Sequence, residues 1–594
     1  MKLAGSLLVA AFLLLAAPVA AQAVVGPTTV LPDGTHRTTY KIGPINITSG
    51  QNRIVTQAIK NNEKPAVDGW ITRIKPDLVN EDGSIPSSSK VMFHHGVWIN
   101  QARGHNFFAT GEEKTITDFP DGYGYRYKRS DGWLLNHMVH NLVVEPMSLY
   151  VTYQVDFIPD TDPRAASTKE VSPIWMDVEN GIYPVFDVYR DSGGPDGEFT
   201  YPQDAKNPYP GGGKKNERIV TRDGVLLNTT GHVHTGGLDT ELFLRRQGAK
   251  YGGPTCERPP DRTADLAIID AGLLKVTTRL NEVNRSLKPN KQKRLRKRLM
   301  RKALKANKQK QLRKKMARKK FKVWKRKKQK NRRTFQRNKQ SRIAAMTELQ
   351  TRIEAEREVH QACVDTQPEV KGNRVRLFQS KAHYFDGRDP VSWDMAMYTT
   401  KDDWRVQVKA GDILELQTTY ETKIASWYES MGINIVYWSA ESNGRDPYVT
   451  KVDGPGELNH GHYEENNDHG GEETNFANPV NLPDGPFSGG PFIIGDYSYS
   501  AGDFRLPGAA GRPPVVRKGQ SFTFQMKQRD LDQEIWHSLT SCKAPCNKST
   551  GISYPLPDGE FQFDSGQLGN IGAPTVGRTT WSTPANLPVG THTY

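Results

Sequence analysis

The chain has 594 residues and a net charge of +16, a length that allows about three or four domains. Beyond the first 23 residues no stretch approaches the roughly 18 apolar residues that a membrane-spanning helix needs, which excludes a helical integral membrane protein as the sequence reading. The positive charge does not make the whole protein a polyanion binder: Arg285–Arg342 holds 30 of the 81 basic residues and no acidic one, leaving 51 basic against 65 acidic residues elsewhere.

In chain order, residues 1–23 (MKLAGSLLVAAFLLLAAPVAAQA) combine Lys2, an apolar run from Leu3 to Ala17 and a small-x-small end at Ala21-Gln22-Ala23. That pattern predicts a secretory signal peptide and an extracytoplasmic protein. In an oxidising compartment four cysteines predict two disulfides. Cys542 with Cys546 and Cys256 with Cys363 is one pairing; the alternative pairings stay open.

Runs such as SLYVTYQVDFIP, DILELQTTY, INIVYW and SFTFQM are rich in β-formers, mostly alternate apolar with polar residues, and are separated by turn signals such as LPDG and DGYG. They predict an all-β protein of antiparallel sandwiches. Within this texture FHHGVWIN sets His94 beside His95, and WLLNHMVHNLV offers His137 and His140. The odd spacing of that second pair lets a regular strand aim only one of them at a metal. Farther on, GHVHTGG carries His232 and His234, which period-two alternation points to one face.

The basic run follows. It is filled with good helix formers, and its sparse apolar positions, Leu295, Leu299, Leu304, Leu312 and Met316, fit only part of a helical stripe. It therefore reads as an exposed helix or helical hairpin inserted at about 275–360. Two roles stay open for residues 285–342: a solvated insertion, or contact with an anionic polymer or membrane surface. Secretion weighs against nucleic acid as the partner. After it come Met431 in SWYESMGINIVYW, and a hydrated loop, NHGHYEENNDHGGEE, with His460, His462 and His469 among carboxylates.

In this order the histidine motifs and the distant methionine resemble the copper type II, ascorbate-dependent monooxygenase family. The resemblance covers residues 35–445 without the basic insertion. It implies two successive β jelly-roll domains (24–165 and 166–445), each with one mononuclear copper: an electron-transfer site at His94, His95 and His140, and a dioxygen-activating site at His232, His234 and Met431. The chemistry agrees, since imidazole suits both copper oxidation states whereas a thioether favours Cu(I), and a methionine ligand argues against zinc. The residues that would hold a peptide's terminal glycine in that family are replaced by Thr230, Ile433 and Ile435. A small neutral or apolar substrate is expected in its place, with dioxygen as co-substrate and ascorbate or a protein as electron donor. The alternative expectation is a non-catalytic extracellular protein that binds copper or attaches to surfaces.

After a polar linker at 446–490, residues 491–594 resemble a type 1 copper, cupredoxin-like Greek-key domain. The resemblance implies His537 as its first ligand and a third copper only if the chain continues past Tyr594. Either the sequence stops early or the domain has lost its copper.

Overall fold

The computed structural model describes residues 26–249, 289–304, 310–366, 370–459, 491–499, 517–539, 565–570 and 577–590, apart from 49, 89, 142–144, 180–183, 210–212, 372, 386–389, 391–393, 496–497, 522 and 533–534. The signal-peptide reading, the cysteine pairings and the loop histidines His460, His462 and His469 fall outside these residues or rest on side chains that are not described.

Strand outweighs helix and the sheets are predominantly antiparallel, so the protein is all-β as the alternating pattern predicts. The N-terminal part is two facing sheets. One contains His36–Ile47, Met147–Pro159 and Gly69–Asn80 in antiparallel register. The other runs Asn52–Ile59, Trp133–Asn141, Val91–Asn100, His105–Thr110. Alternation buries Val151, Tyr153 and Val155 from the first sheet against Phe93, Trp98, Trp133, Leu135 and Val139 from the second. At about 1.5–3 kcal/mol per fully buried large apolar side chain, this core is what holds the second sheet's strands in register.

A second core lies between sheets of the C-terminal part. Gly224–Val233 pairs with Gly432–Ser439 on one side and with Val406–Val408 and Met395–Thr399 on the other. Facing it, Gly237–Arg245 lies between Arg374–Tyr384 and Ile413–Glu421. Leu226 and Val436 from the first sheet meet Leu242, Leu244, Leu377 and Leu416 from the second.

One strand belongs to both parts. Lys169–Asp177 runs parallel to Tyr123–Tyr127 through Val171, then antiparallel to Gly432–Ser439 from Ser172 onward. The two sandwiches are thereby joined through backbone hydrogen bonds, within one compact unit of the chain. That junction positions the site described below.

Residues 253–367 form a compact unit of their own. Its helices, Pro289–Leu304 and Lys310–Thr366, pack on one another. Met316 and Val323 are exposed and Ala317 and Ile353 buried, as few apolar positions in a basic helix would allow. Near the C-terminus, Phe492–Gly495, Ser498–Tyr499, Thr523–Met526 and Thr580–Ser582 make a four-stranded sheet over Phe492, Ile494, Phe524, Met526 and Leu531. No helix among the described residues is long and apolar enough to cross a membrane.

Candidate metal centre

Two adjacent residues on a regular strand point to opposite faces, so His94 and His95 could not both reach one ion without a backbone irregularity. The structure supplies one. Along Val91–Asn100, Phe93 opposes Val139 and His95 opposes Met138, which leaves His94 as an extra residue. Such a bulge re-aims side chains, and the two imidazoles stack with ring centres 4.4 Å apart. His232 and His234 come from the end of Gly224–Val233 and the turn after it, where Gly237 donates its N–H to the His234 carbonyl.

The two histidine sets, expected at separate sites, meet between the sandwiches. His95 Nε2 lies 3.2 Å from His232 Nε2 and 3.0 Å from His234 Nε2. The ligand atoms of His94, His95 and His234 all fall within 4.8 Å of one another, and all three residues are buried.

Three of the four rings are held from behind. His94 Nδ1 is 2.9 Å from Asn52 Oδ1. His232 Nδ1 is 3.0 Å from Glu113 Oε2, and His234 Nδ1 donates to the Glu429 carbonyl. An acceptor on Nδ1 fixes the proton there and leaves Nε2 with its lone pair turned inward, the arrangement that metal-binding histidines use. Burial holds His94, His95 and His234 well below the ordinary imidazole range, and repulsion from neighbouring rings adds to it. Neutral imidazole is the form that binds a metal.

The turn Gly111-Glu112-Glu113-Lys114 serves both histidine pairs. Glu112 Oε2 accepts the Phe93 N–H at 2.6 Å, at the edge of the His94 bulge, while Glu113 holds His232. Glu113 Oε1 also accepts the Gly111 N–H at 2.7 Å. Lys114, fully buried, donates to Glu112 at 3.0 Å and lies 3.6 Å from Asp77, so the buried charges are paired. Two of the three non-glycine residues with left-handed backbone among the described residues, Lys114 (φ 45°) and Glu429 (φ 57°), sit in the segments that anchor His232 and His234, the 111–114 turn and the strand Trp427–Ser430. Strain of this kind, about 1–3 kcal/mol per residue, concentrates where a surrounding structure enforces a site.

The other expected residues lie as follows. His140 shares the strand face of Met138, the residue opposite His95, and its ring centre is 6.2 Å from that of His94. His137 shares the core face of its strand with Trp133, Leu135 and Val139, with no hydrogen-bond partner on either ring nitrogen among the described residues. Burial lowers both to about 4. Met431 is buried and packs with Val185, Ile433 and Trp175. The Tyr420 hydroxyl accepts from the N–H groups of His234 (3.0 Å) and Met431 (2.9 Å) and donates to the Met431 carbonyl (2.7 Å), which ties the methionine's backbone to that of His234. His537, in the C-terminal sheet region, turns Nε2 to Asp530 Oδ2 at 2.7 Å.

His95 and His232 also line a cavity of about 40 Å³, room for a few water-sized molecules. Trp175, Ile433, Ile435 and Tyr437 supply its apolar wall and Thr230 and Asn228 polar atoms. The three positions that depart from the peptide-binding pattern, Thr230, Ile433 and Ile435, all face it. Glu113 is the one carboxylate on its wall, and it is engaged by His232 and Gly111.

Sequence reasoning did not find Asn52, Glu112, Glu113, Tyr420 or Glu429. The run GEEK next to an apolar strand was a signal of a kind, since three charges in succession there require burial partners or exposure. Among protein-family models and among curated proteins, a search finds no match to this chain.

Proposed function

We propose that this is a secreted copper-binding oxidoreductase, monooxygenase-like, that acts with dioxygen and an external electron donor such as ascorbate or a protein on a small uncharged substrate. The observation that carries the reading is the convergence of the His95, His232 and His234 Nε2 atoms beside a cavity. An all-imidazole set suits copper among several metals, and the expectation of copper in particular comes from Met431 in the sequence pattern, whose backbone Tyr420 ties to that of His234 while its side chain packs with Val185, Ile433 and Trp175.

Copper held by these rings supplies one-electron redox chemistry toward dioxygen. The chain's own residues do the rest. Asn52, Glu113 and the Glu429 carbonyl keep the Nε2 lone pairs directed inward. Trp175, Ile433 and Ile435 exclude water and favour an apolar group next to His95 and His232. Thr230, whose hydroxyl donates to Thr399 at 2.7 Å, and Asn228 offer neutral hydrogen-bonding atoms. With no free charge on the wall, a charged substrate would be desolvated without compensation. The basic helices are proposed as a separate contact with an anionic polymer or membrane surface.

The test is oxygen consumption by the copper-loaded protein with ascorbate. Uptake that is lost in Met431→Ala and His234→Ala supports the reading. Tight copper binding without uptake, whatever neutral substrate is offered, replaces it with a copper-binding protein lacking turnover, a role that burial of His94, His95 and His234 also suits.

A further inference from the structure

The histidine motifs divide in sequence into one pair per sandwich, and the natural reading gives each pair its own ion. The geometry points to a different assignment: we propose that one ion is shared across the two sandwiches, with His94 and His95 from the first and His234 from the second as its three ligands, and His232 standing beside it at 3.2 Å from His95 Nε2. The inference rests on the copper reading and changes its stoichiometry and its structural role.

The tautomers favour a shared cation. Glu113, a carboxylate, and the Glu429 carbonyl are acceptors, so His232 and His234 carry their protons on Nδ1. Their Nε2 atoms therefore present lone pairs, and both present them to the same atom, His95 Nε2, at 3.2 and 3.0 Å. A single N–H on His95 serves one of them. A cation held by His94, His95 and His234 removes that conflict, and leaves the His95 ring free of the demand for two protons.

The spacing fits. Metal–imidazole bonds of about 2.0–2.1 Å at tetrahedral angles put neighbouring nitrogens about 3.3 Å apart, close to both separations. His94 joins them: its ligand atom lies within 4.8 Å of those of His95 and His234. His95 and His234, from different sandwiches, thus share the three-nitrogen cluster found among the described residues, whereas two separate ions would each have to do without one of them.

The arrangement has a consequence for the fold. His94 and His95 ride on Val91–Asn100 of the first sandwich, while His232 lies near the end of Gly224–Val233 of the second and His234 directly after it. An ion bound by both would cross-link the sandwiches at a point where no backbone ladder joins these two strands, and Glu112 and Glu113, two residues of one turn, hold the two ligand strands in place for it.

The experiment is a copper count on the full-length protein after equilibration against a competing chelator, for wild type, His95→Gln, His234→Gln and the double variant. Each sample is checked by circular dichroism for an intact β-spectrum. The expected result is that each single variant loses one tight copper and the double variant loses the same one and no more. Loss of two coppers in the double variant, one from each single change, overturns the shared ion while leaving the copper reading standing. No loss in any variant overturns both. Electron-spin-echo measurements on wild type carrying one equivalent of Cu(II) need no variant. Modulation from three imidazoles on a single Cu(II) population is expected, and two populations with two imidazoles each contradict the proposal.

Discussion

Replacing Glu113 with glutamine tests the support of the cluster with almost no change in shape. Glu113 is buried and both its oxygens accept hydrogen bonds, from Gly111 N–H at 2.7 Å and from His232 Nδ1 at 3.0 Å. Glutamine has one oxygen and one NH₂, so whichever way its amide turns, one of those two donors faces another donor. If the NH₂ faces His232, the ring is driven to the other tautomer, with a proton on Nε2 at the point where it meets His95. Loss of an outer-shell partner typically costs 10- to 100-fold in metal affinity, or about 1.4–2.7 kcal/mol. If the NH₂ instead faces Gly111, the cost of a buried unsatisfied donor, about 1–3 kcal/mol, appears as lost folding stability. Competition titration of copper against a chromophoric chelator, run beside thermal melting, separates the two. Glu113→Gln with affinity and melting temperature both equal to wild type would refute the role assigned to the turn.

Gly111→Ala probes the same contact sterically. A Cβ there would lie 2.6 Å from both Glu113 Oε2 and His232 Cε1, so a loss of copper affinity of about tenfold or more is expected in the same titration. Asp177 gives a pH dependence. Burial raises its carboxyl to about 7, against the Trp175 Nε1–H hydrogen bond to Oδ2 at 2.7 Å, which lowers it. Because the folded-state value is raised, the stabilisation is full below about pH 4 and is lost as pH rises through about 7. Asp177→Asn, which keeps an acceptor for Trp175, should therefore gain on wild type between pH 5 and pH 8 in urea melts. The gap is at most about 4 kcal/mol, and a constant difference across that range contradicts the assignment. Removing residues 285–342 should abolish binding to heparin, with copper content unchanged, and the intact protein's heparin binding should weaken steeply with salt.

The sheet texture was legible because alternation is local: SLYVTYQVDFIP lies as the strand Met147–Pro159 with Val151, Tyr153 and Val155 buried in turn. The H-x-H pair was legible for the same reason. His94 and His95 were not, in the sense that adjacent residues on a regular strand diverge, and the bulge that brings them together is specified by pairing with Val139 and Met138, some 45 residues away. Nor could the sequence say that the pairs meet. That depends on Lys169–Asp177 changing partners from one sandwich to the other, a property of tertiary packing. Glu112, Glu113 and Lys114 look like an exposed polar turn, and only their burial beside His232 and Phe93 gives them a role. The departures at Thr230, Ile433 and Ile435, by contrast, are marked as substrate positions by the family resemblance, and all three line the cavity next to His95 and His232.

The central claim is that the histidines between the sandwiches form a metal centre. Anomalous diffraction at the copper edge from crystals of the copper-loaded protein tests it most directly. The account predicts a copper peak about 2 Å from the Nε2 atoms of His95 and His234. Copper bound to the protein with no anomalous density at this cluster would contradict it.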